Sequence, residues 1–552
     1  MAEADDVRWW SGRGRLPLLV GLTAGPAAVE AAILGWTGNR SPLALAPQAA
    51  APNPFGVFHD LRWIVVYHDS WLSFAALSVG AVVARALYTV AIIVVAWPPG
   101  RRRPGTRRLI RTSLAVTAVT ALALAPWAAV TVAAAVTALS WFSIGSVLAL
   151  LVLAVVLQRG PMAGTWWRGL PPPAVLLWVV ATFAVLTAGA LVVGLGPDWA
   201  AVPVAAAGGA ANAPLWRGLL GTVVGRRARL PRLPAVPAVA LVLLLALAGS
   251  GAVAGAGSRA AARPPPALVL RDGTEHPRQA VLYVGGYDSR YDGSTASVPD
   301  PAGRTSIPVH RFSYAGLDAQ GHPRPYAAAD THQSLARSAD LLAAQVREIR
   351  RRTGRPVALL GHSEGTLVIR TYLERDPRPE VEAVALLSPL TRPARAYYPP
   401  AHADTGWGIA AGWQLRIIFA VVNRTGGARL GADTPFVRSL LDHGPRYRDR
   451  MLQPVPGVRM IAVLPLLDAV TDTPGPRPRI PVVVVPERHA MDYGRARTQR
   501  LLVAFLNGMP VTPANGPAGA AYRVLGAAGA AWQAPELATG LNPVWQTDRG
   551  SS

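Results

Sequence analysis

Residues 357–360 form an apolar run that ends in Gly361-His362-Ser363-Glu364-Gly365 and passes into Thr366-Leu367-Val368-Ile369, a stretch with helical character. A serine between two glycines at a strand-to-helix turn is the arrangement of a nucleophile elbow. The sharp turn presents the hydroxyl, and the glycines let strand and helix approach without a side-chain clash. The five-residue pattern alone recurs by chance, so the specificity lies in its strand, turn and helix context. His362 and Glu364 read as elbow neighbours rather than catalysts. A serine hydroxyl is a poor nucleophile at neutral pH and needs a base, which a carboxylate must orient. On such an elbow the chain order runs Ser, acid, His. His489, in Val485-Pro486-Glu487-Arg488-His489, follows the last strand and precedes a closing helix over 493–506, which makes it the predicted base. Asp468, in Leu466-Leu467-Asp468-Ala469-Val470, ends the preceding strand and is the predicted acid, with Asp472 as the alternative. The oxyanion of a tetrahedral intermediate needs two donors. One is the Glu364 amide. The other is assigned to the Tyr287 amide in Gly285-Gly286-Tyr287-Asp288-Ser289, a segment whose competing reading is a simple Gly-rich turn.

These residues need a scaffold. Short β-rich runs at 280–284, 309–313, 357–360, 383–387, 459–464 and 480–485 alternate with helical stretches, which predicts a mostly parallel sheet with flanking helices. The helix predicted over 331–352 places Leu335, Ala339, Leu342, Val346 and Ile349 on one face, with Asp330 or Thr331 to cap its start and Gly354 beyond its end. Between 387 and 459 lies a long insertion, where a cap over the site is expected. Its apolar stretch 407–422 carries Trp407, Trp413, Ile417, Ile418 and Val421 and one charge, Arg416. That stretch is too short to span a bilayer and reads as a lid, a core helix or an interfacial element.

With these motifs in place, residues 268–510 resemble the α/β-hydrolase superfamily, in particular its lipase-like and esterase-like serine hydrolases. The likeness rests on Val284-Gly285-Gly286-Tyr287, Phe312-Ser313-Tyr314, Gly361 to Gly365, and Thr434-Pro435-Phe436-Val437-Arg438-Ser439-Leu440. Arg488 stands where that group often has a small residue. The resemblance implies cleavage of a carboxylic ester through a Ser363-His489-Asp468 triad and an acyl-enzyme, with no metal or organic cofactor. Acyl transfer by the same triad is a second reading. A catalytically idle hydrolase fold serving as the binding domain of a transporter or sensor is a third.

The preceding half has a different character. Of 552 residues 51% are hydrophobic and 15% charged, and the apolar runs crowd into residues 16–256. A span needs about 20 mostly apolar residues. Residues 16–36, 71–97, 113–136, 138–157, 173–194 and 235–256 qualify, and 198–216, rich in Ala and Gly with Asn212 inside, is a weak seventh. The basic charge is all arginine and includes clusters at Arg101, Arg102, Arg103, Arg107, Arg108 and Arg111 and at Arg217, Arg226, Arg227, Arg229 and Arg232. Both clusters are cytoplasmic by the positive-inside rule only if 198–216 crosses, which predicts seven spans and an extracytoplasmic C-terminal domain on a multi-pass protein of the cell membrane. Glu30 and Arg85 fall inside spans at different depths, so they are expected to make interior contacts rather than a direct pair. No nucleic-acid signature accompanies the charge. Cysteine is absent, which excludes structural disulfides and thiolate metal sites. The expected organisation is a multi-span region over 1–256, a linker over 257–267, the α/β domain over 268–510 and a low-complexity, poorly ordered tail over 511–552. The expected partners are the lipid bilayer and an acyl ester substrate. Oligomeric state is left open.

Overall fold

The computed structural model describes residues 15–38, 41–137, 174–225, 270–271, 278–293, 306–307, 309–376, 379–426, 431–466, 478–487, 489, 496–511 and 516–547, with single residues at 150, 154, 157 and 162. Spans expected at 138–157 and 235–256, and the linker, lie outside the described residues or nearly so.

The N-terminal half is helical: α1 (Leu16–Trp36), α2 (Phe55–Val66), α3 (Trp71–Ala96), α4 (Thr106–Thr137), α5 (Ala174–Leu195), α6 (Ala201–Ala210) and α7 (Asn212–Gly225). Among the described residues α1, α3, α4 and α5 are long and apolar enough to cross a membrane. Their outward positions, including Leu72, Val79, Leu122 and Leu177, are exposed and apolar, as lipid-facing surfaces require. The weak seventh segment is a helix pair, α6 and α7. Its small residues have a packing reason, because a Cβ on Gly209 would sit 2.5 Å from the Thr23 carbonyl and 2.7 Å from Ala27 of α1. Asn212, at the joint, donates to the carbonyls of Pro47, Gly208 and Gly209.

Residues 41–66 are not a plain connection between spans. A 3-10 turn (Ser41–Gln48) and α2 are buried inside the bundle. This settles the partners of the intramembrane charges. Arg85 binds Asp60 of α2 through Nε at 2.7 Å. Glu30 accepts from His59 at 3.1 Å and from Trp63 at 3.0 Å. Both ionisable groups in these helices thus find their partners on α2.

The C-terminal domain is built on six strands, β1 (Ala280–Val284), β2 (Val309–Arg311), β3 (Val357–His362), β4 (Val381–Leu387), β5 (Arg459–Pro465) and β6 (Val482–Val485), in the order β2-β1-β3-β4-β5-β6 with every pair parallel. Apart from the edge strand β2, their near-continuous apolar runs are buried, as strands covered on both faces must be. The covering helices are α8 (Leu335–Thr353), α9 (Glu364–Arg375) and α13 (Ala496–Leu506), while α10 (Ile409–Gly426), α11 (Pro435–Asp442) and α12 (Gly444–Arg450) belong to the long insertion. Helix α8 starts later than 331. Ser334 caps it by accepting from the Arg337 amide, Thr331 lies in a preceding 3-10 turn (Ala328–His332), and Gly354 closes the helix at φ 65°.

The segment read from composition as a poorly ordered tail instead contains α14 (Gly516–Ala530) and α15 (Pro543–Thr547) and ties the two halves together. Trp532 and Trp545 are fully buried. Arg62 of α2 donates to the carbonyls of Ala531 (3.0 Å) and Gln533 (2.9 Å), and Gln48 donates to Ala531. Downstream, Glu536 pairs with Arg392 at 2.8 Å and with Arg448 at 2.9 Å in the insertion. The insertion also docks directly. Ala394 and Arg395 amides donate to Val136 and Ala135 at the end of α4, Gly406 and Gly408 amides donate to Asp69 and His68 before α3, and the Ala410 amide donates to His68 Nε2.

Candidate active site

Strand β3 sits between β1 and β4 near the middle of the sheet, and Ser363 is the first residue beyond it. Its backbone lies at φ 52°, ψ −120°, a conformation that costs an L-residue on the order of 1–3 kcal/mol and persists only where its surroundings over-determine it. They do so here. The Ser363 amide donates to Leu387 at the end of β4, and the Ser363 carbonyl accepts from both the amide and the hydroxyl of Thr366. The flanking glycines are sterically required. A Cβ on Gly361 would lie 2.6 Å from Ile369 Cδ1, and one on Gly365 would lie 2.2 Å from the Val284 carbonyl oxygen. Helix α9 is thereby pressed onto the ends of β1 and β3.

The loop after β1 reaches the same point. A Cβ on Gly286 would meet Ser363 Cβ at 2.9 Å and His362 Nδ1 at 3.2 Å, so only glycine lets the loop lie this close to the serine. The segment 285–289 is therefore more than a surface turn. Gly285 accepts from the Tyr314 hydroxyl at 2.8 Å, and Ser289 pairs with the Tyr326 hydroxyl at 3.0 Å. Asp288, at φ 59°, donates its amide to Thr331 and binds His332 Nε2 at 2.7 Å through its carboxylate. The Tyr287 ring stacks on His332 with centroids 4.4 Å apart and planes 9° apart, and it meets Phe436 of α11 at 5.4 Å.

His489, beyond β6, comes to the elbow, its ring centre 5.0 Å from that of His362. Burial, and secondarily the charge of His489, hold the His362 imidazole well below the usual histidine range, so it is neutral at physiological pH. Asp468 and Asp472 lie outside the described residues. Glu364, the first residue of α9, is 1% exposed, and neither of its carboxylate oxygens finds a hydrogen-bond partner among the described residues. Burial, reinforced by the charge of Asp288, raises its carboxyl well above the ordinary range. Ser363 itself is 8% exposed and lies covered.

Sequence reasoning passed over Asp288 and His332, although both stand beside segments it singled out. Asp288 directly follows the Gly-Gly-Tyr of the loop, and His332 follows the Asp330-Thr331 pair taken for a helix cap. The missing information was their mutual distance across 43 intervening residues of sequence.

Comparison with known proteins bears on the fold of the C-terminal domain. The serine aminopeptidase S33 family matches residues 307–420, about a fifth of the chain, a stretch holding the elbow but neither His489 nor the candidate acids. With the all-parallel sheet and the elbow at the end of β3, the C-terminal domain has the α/β-hydrolase fold. Similar solved structures include a provisionally assigned aryl esterase from Burkholderia cenocepacia, 15% identical, covering 42% of this chain and 90% of its own at a TM-score of 0.24. A Bacillus licheniformis lipase in propeptide form is 14% identical over 45% of this chain and 54% of its own, at 0.26. A type II thioesterase from the yersiniabactin biosynthetic pathway is 15% identical over 44% and 97%, at 0.24. Scores this low carry no argument about activity. No curated protein matches the chain.

Proposed function

We propose that the protein is a membrane-embedded serine hydrolase that cleaves a carboxylic ester. The observation that carries this reading is the strained backbone of Ser363 at the tip of the elbow, with the loop glycine Gly286 abutting it. In the proposed reaction Ser363 Oγ attacks the ester carbonyl while its proton passes to His489. The amides of Glu364 and Tyr287 receive the oxyanion. His489 then gives the proton to the departing alkoxide, leaving an acyl-enzyme that water resolves by the same steps in reverse order. Asp468 holds the imidazole, with Asp472 as the alternative.

We further infer that the substrate is a lipid or other membrane-associated acyl ester. Helix α10 supports this: it packs on α4 with Ala411 and Leu415 buried, while Trp413, Ile417 and Val421, one turn apart, stay 39%, 62% and 54% exposed. An apolar row left outward beside spanning helices suits a lipid-facing cap.

The domain is proposed to be extracytoplasmic. It contacts residues 68–69, just before α3, and 135–136, at the end of α4, whereas the arginine-rich segment 101–111, the connection from α3 together with the first turns of α4, lies at the far ends of the same two helices. Helix α3 is about 39 Å long at 1.5 Å per residue, enough to place these ends on opposite faces of a bilayer. If the arginines are cytoplasmic, the domain is outside, whatever the remaining spans do.

The deciding experiment is fluorophosphonate labelling and ester hydrolysis by the full-length protein in detergent. Ser363→Ala is expected to abolish labelling, and Ser363→Ala and His489→Ala to lower turnover by several orders of magnitude. Asp468→Asn should fall close behind. Full activity in Ser363→Ala would end this reading, and a crippling Asp472→Asn beside a tolerated Asp468→Asn would move the acid to Asp472.

A further inference from the structure

We propose that His332 and Asp288 are positioning residues that hold the loop 285–289 against Ser363, so that the Tyr287 amide is aligned for the oxyanion before substrate arrives. The inference rests on the serine-hydrolase reading of the elbow.

The geometry isolates the loop as the part that needs support. It is not within a strand, and two of its residues are glycines, so its own backbone does little to restrain it. Its approach to the nucleophile is nevertheless as tight as the chain permits at Gly286. Three contacts from one short element, the 3-10 turn Ala328–His332, restrain the two residues after that glycine. The Thr331 hydroxyl takes the Asp288 amide, His332 Nε2 binds the Asp288 carboxylate at 2.7 Å, and the His332 ring lies flat on Tyr287. Asp288 is held at φ 59°, where an aspartate is tolerated and most side chains are strained. The peptide between Tyr287 and Ser289 is thus gripped from its side chains outward, and the Tyr287 amide precedes it directly. The Tyr287 ring also meets Phe436, with centroids 5.4 Å apart. Preorganised donors act on the transition state far more than on the bound ester. Loss of the clamp should therefore appear in turnover rather than in substrate affinity.

The test uses the full chain in detergent micelles with a short p-nitrophenyl ester, and a trifluoromethyl ketone whose tetrahedral adduct on the serine needs the same donors. His332→Leu, which removes the hydrogen bond to Asp288 and the ring stack, is expected to lower kcat by ~10–100-fold, up to the lower end of the ~100–1000-fold cost of removing one oxyanion donor outright, with little change in KM. The ketone's affinity should weaken by the same factor as kcat/KM. Asp288→Asn keeps a residue suited to left-handed backbone and loses only the charge, so it should fall between His332→Leu and wild type. His332→Phe, which keeps the stack without the hydrogen bond to Asp288, should do likewise. Unchanged kcat in His332→Leu, or a loss carried by KM with ketone affinity intact, would overturn the clamp. Wild-type turnover in Ser363→Ala would instead remove the serine reading itself, and the clamp with it.

Discussion

At the residue scale, Glu364 presents a conflict that chemistry must resolve. Its amide is proposed to receive the oxyanion while its own carboxyl is buried beside the elbow without a partner among the described residues. Kept protonated, it adds no negative charge next to the one that develops in the reaction. The same burial makes stability pH-dependent. Below the ordinary value near 4.5 the group is protonated folded or unfolded, and above it the unfolded chain ionises while the folded one does not. Stability from this group is therefore full below pH 4.5 and is lost as pH climbs toward the raised folded value. Glu364→Gln should melt progressively higher relative to wild type between pH 5 and 8 than it does at pH 4, by circular dichroism in detergent. A melting-temperature difference that stays flat with pH would show that Glu364 ionises freely in the folded protein. His362 has the opposite sign, since a buried neutral imidazole withdraws stability as pH falls below its ordinary 6.5.

At the scale of elements, the insertion between β4 and β5 does two jobs with one helix. The inner face of α10 is core, as a short apolar run often is, and its outer row of Trp413, Ile417 and Val421 remains apolar and open. The guanidinium of Arg416 lies 5.4 Å from the Trp413 ring and pairs with Asp433, which satisfies the charge in the middle of the helix at its edge. For a lipid-facing cap, wild type should be more efficient on long-chain esters in vesicles than on soluble p-nitrophenyl esters. Changing Trp413 and Ile417 to Ser should then lower vesicle activity by at least about tenfold, since two apolar side chains at roughly 1.5–3 kcal/mol each exceed the about 1.4 kcal/mol that a factor of ten requires, while sparing the soluble substrate. Equal efficiency on both substrates, unaltered in the variant, would remove the lipid assignment. The C-terminal strap belongs to the same scale. Trp532 fills a space among Phe55 and Phe183 of the membrane half, and Trp545 packs on Tyr397 of the insertion. Tryptophans in an Ala- and Gly-rich segment were the available sign that it does not lie in solvent, because so large an apolar surface is seldom left exposed.

At the scale of the whole molecule, the apolar helical half and the α/β domain share an interface made of backbone amides, buried arginines and the strap, so the helical half holds the insertion in place. A reporter fused after Ser552 is expected to be active in the extracytoplasmic compartment and one inserted after Gly105 in the cytoplasm. Activity of both on the same side would contradict a disposition in which α3 and α4 carry the arginine-rich loop to the face opposite the domain. The sequence by itself determined the things that depend on local pattern. The strand cores, the elbow glycines, the long apolar helices within 16–36, 71–97, 113–136 and 173–194 and the breadth of the insertion all come from spacing and side-chain size, because each is decided within a few neighbouring residues. What only the tertiary structure decided depends on distance across the chain. Arg85 meets Asp60 rather than Glu30 because α2, hardly distinguishable from a loop in sequence, is drawn inside the bundle by its buried face. The loop glycine reaches Ser363 because β1 and β3 are neighbours in the sheet, though far apart in the chain. The tail is ordered because Arg62 and Gln48 offer its carbonyls buried donors that no composition reveals. Local pattern carries the energy of forming each element, whereas the partner of a buried polar group is chosen only when the elements pack, since any donor at the right place would satisfy it.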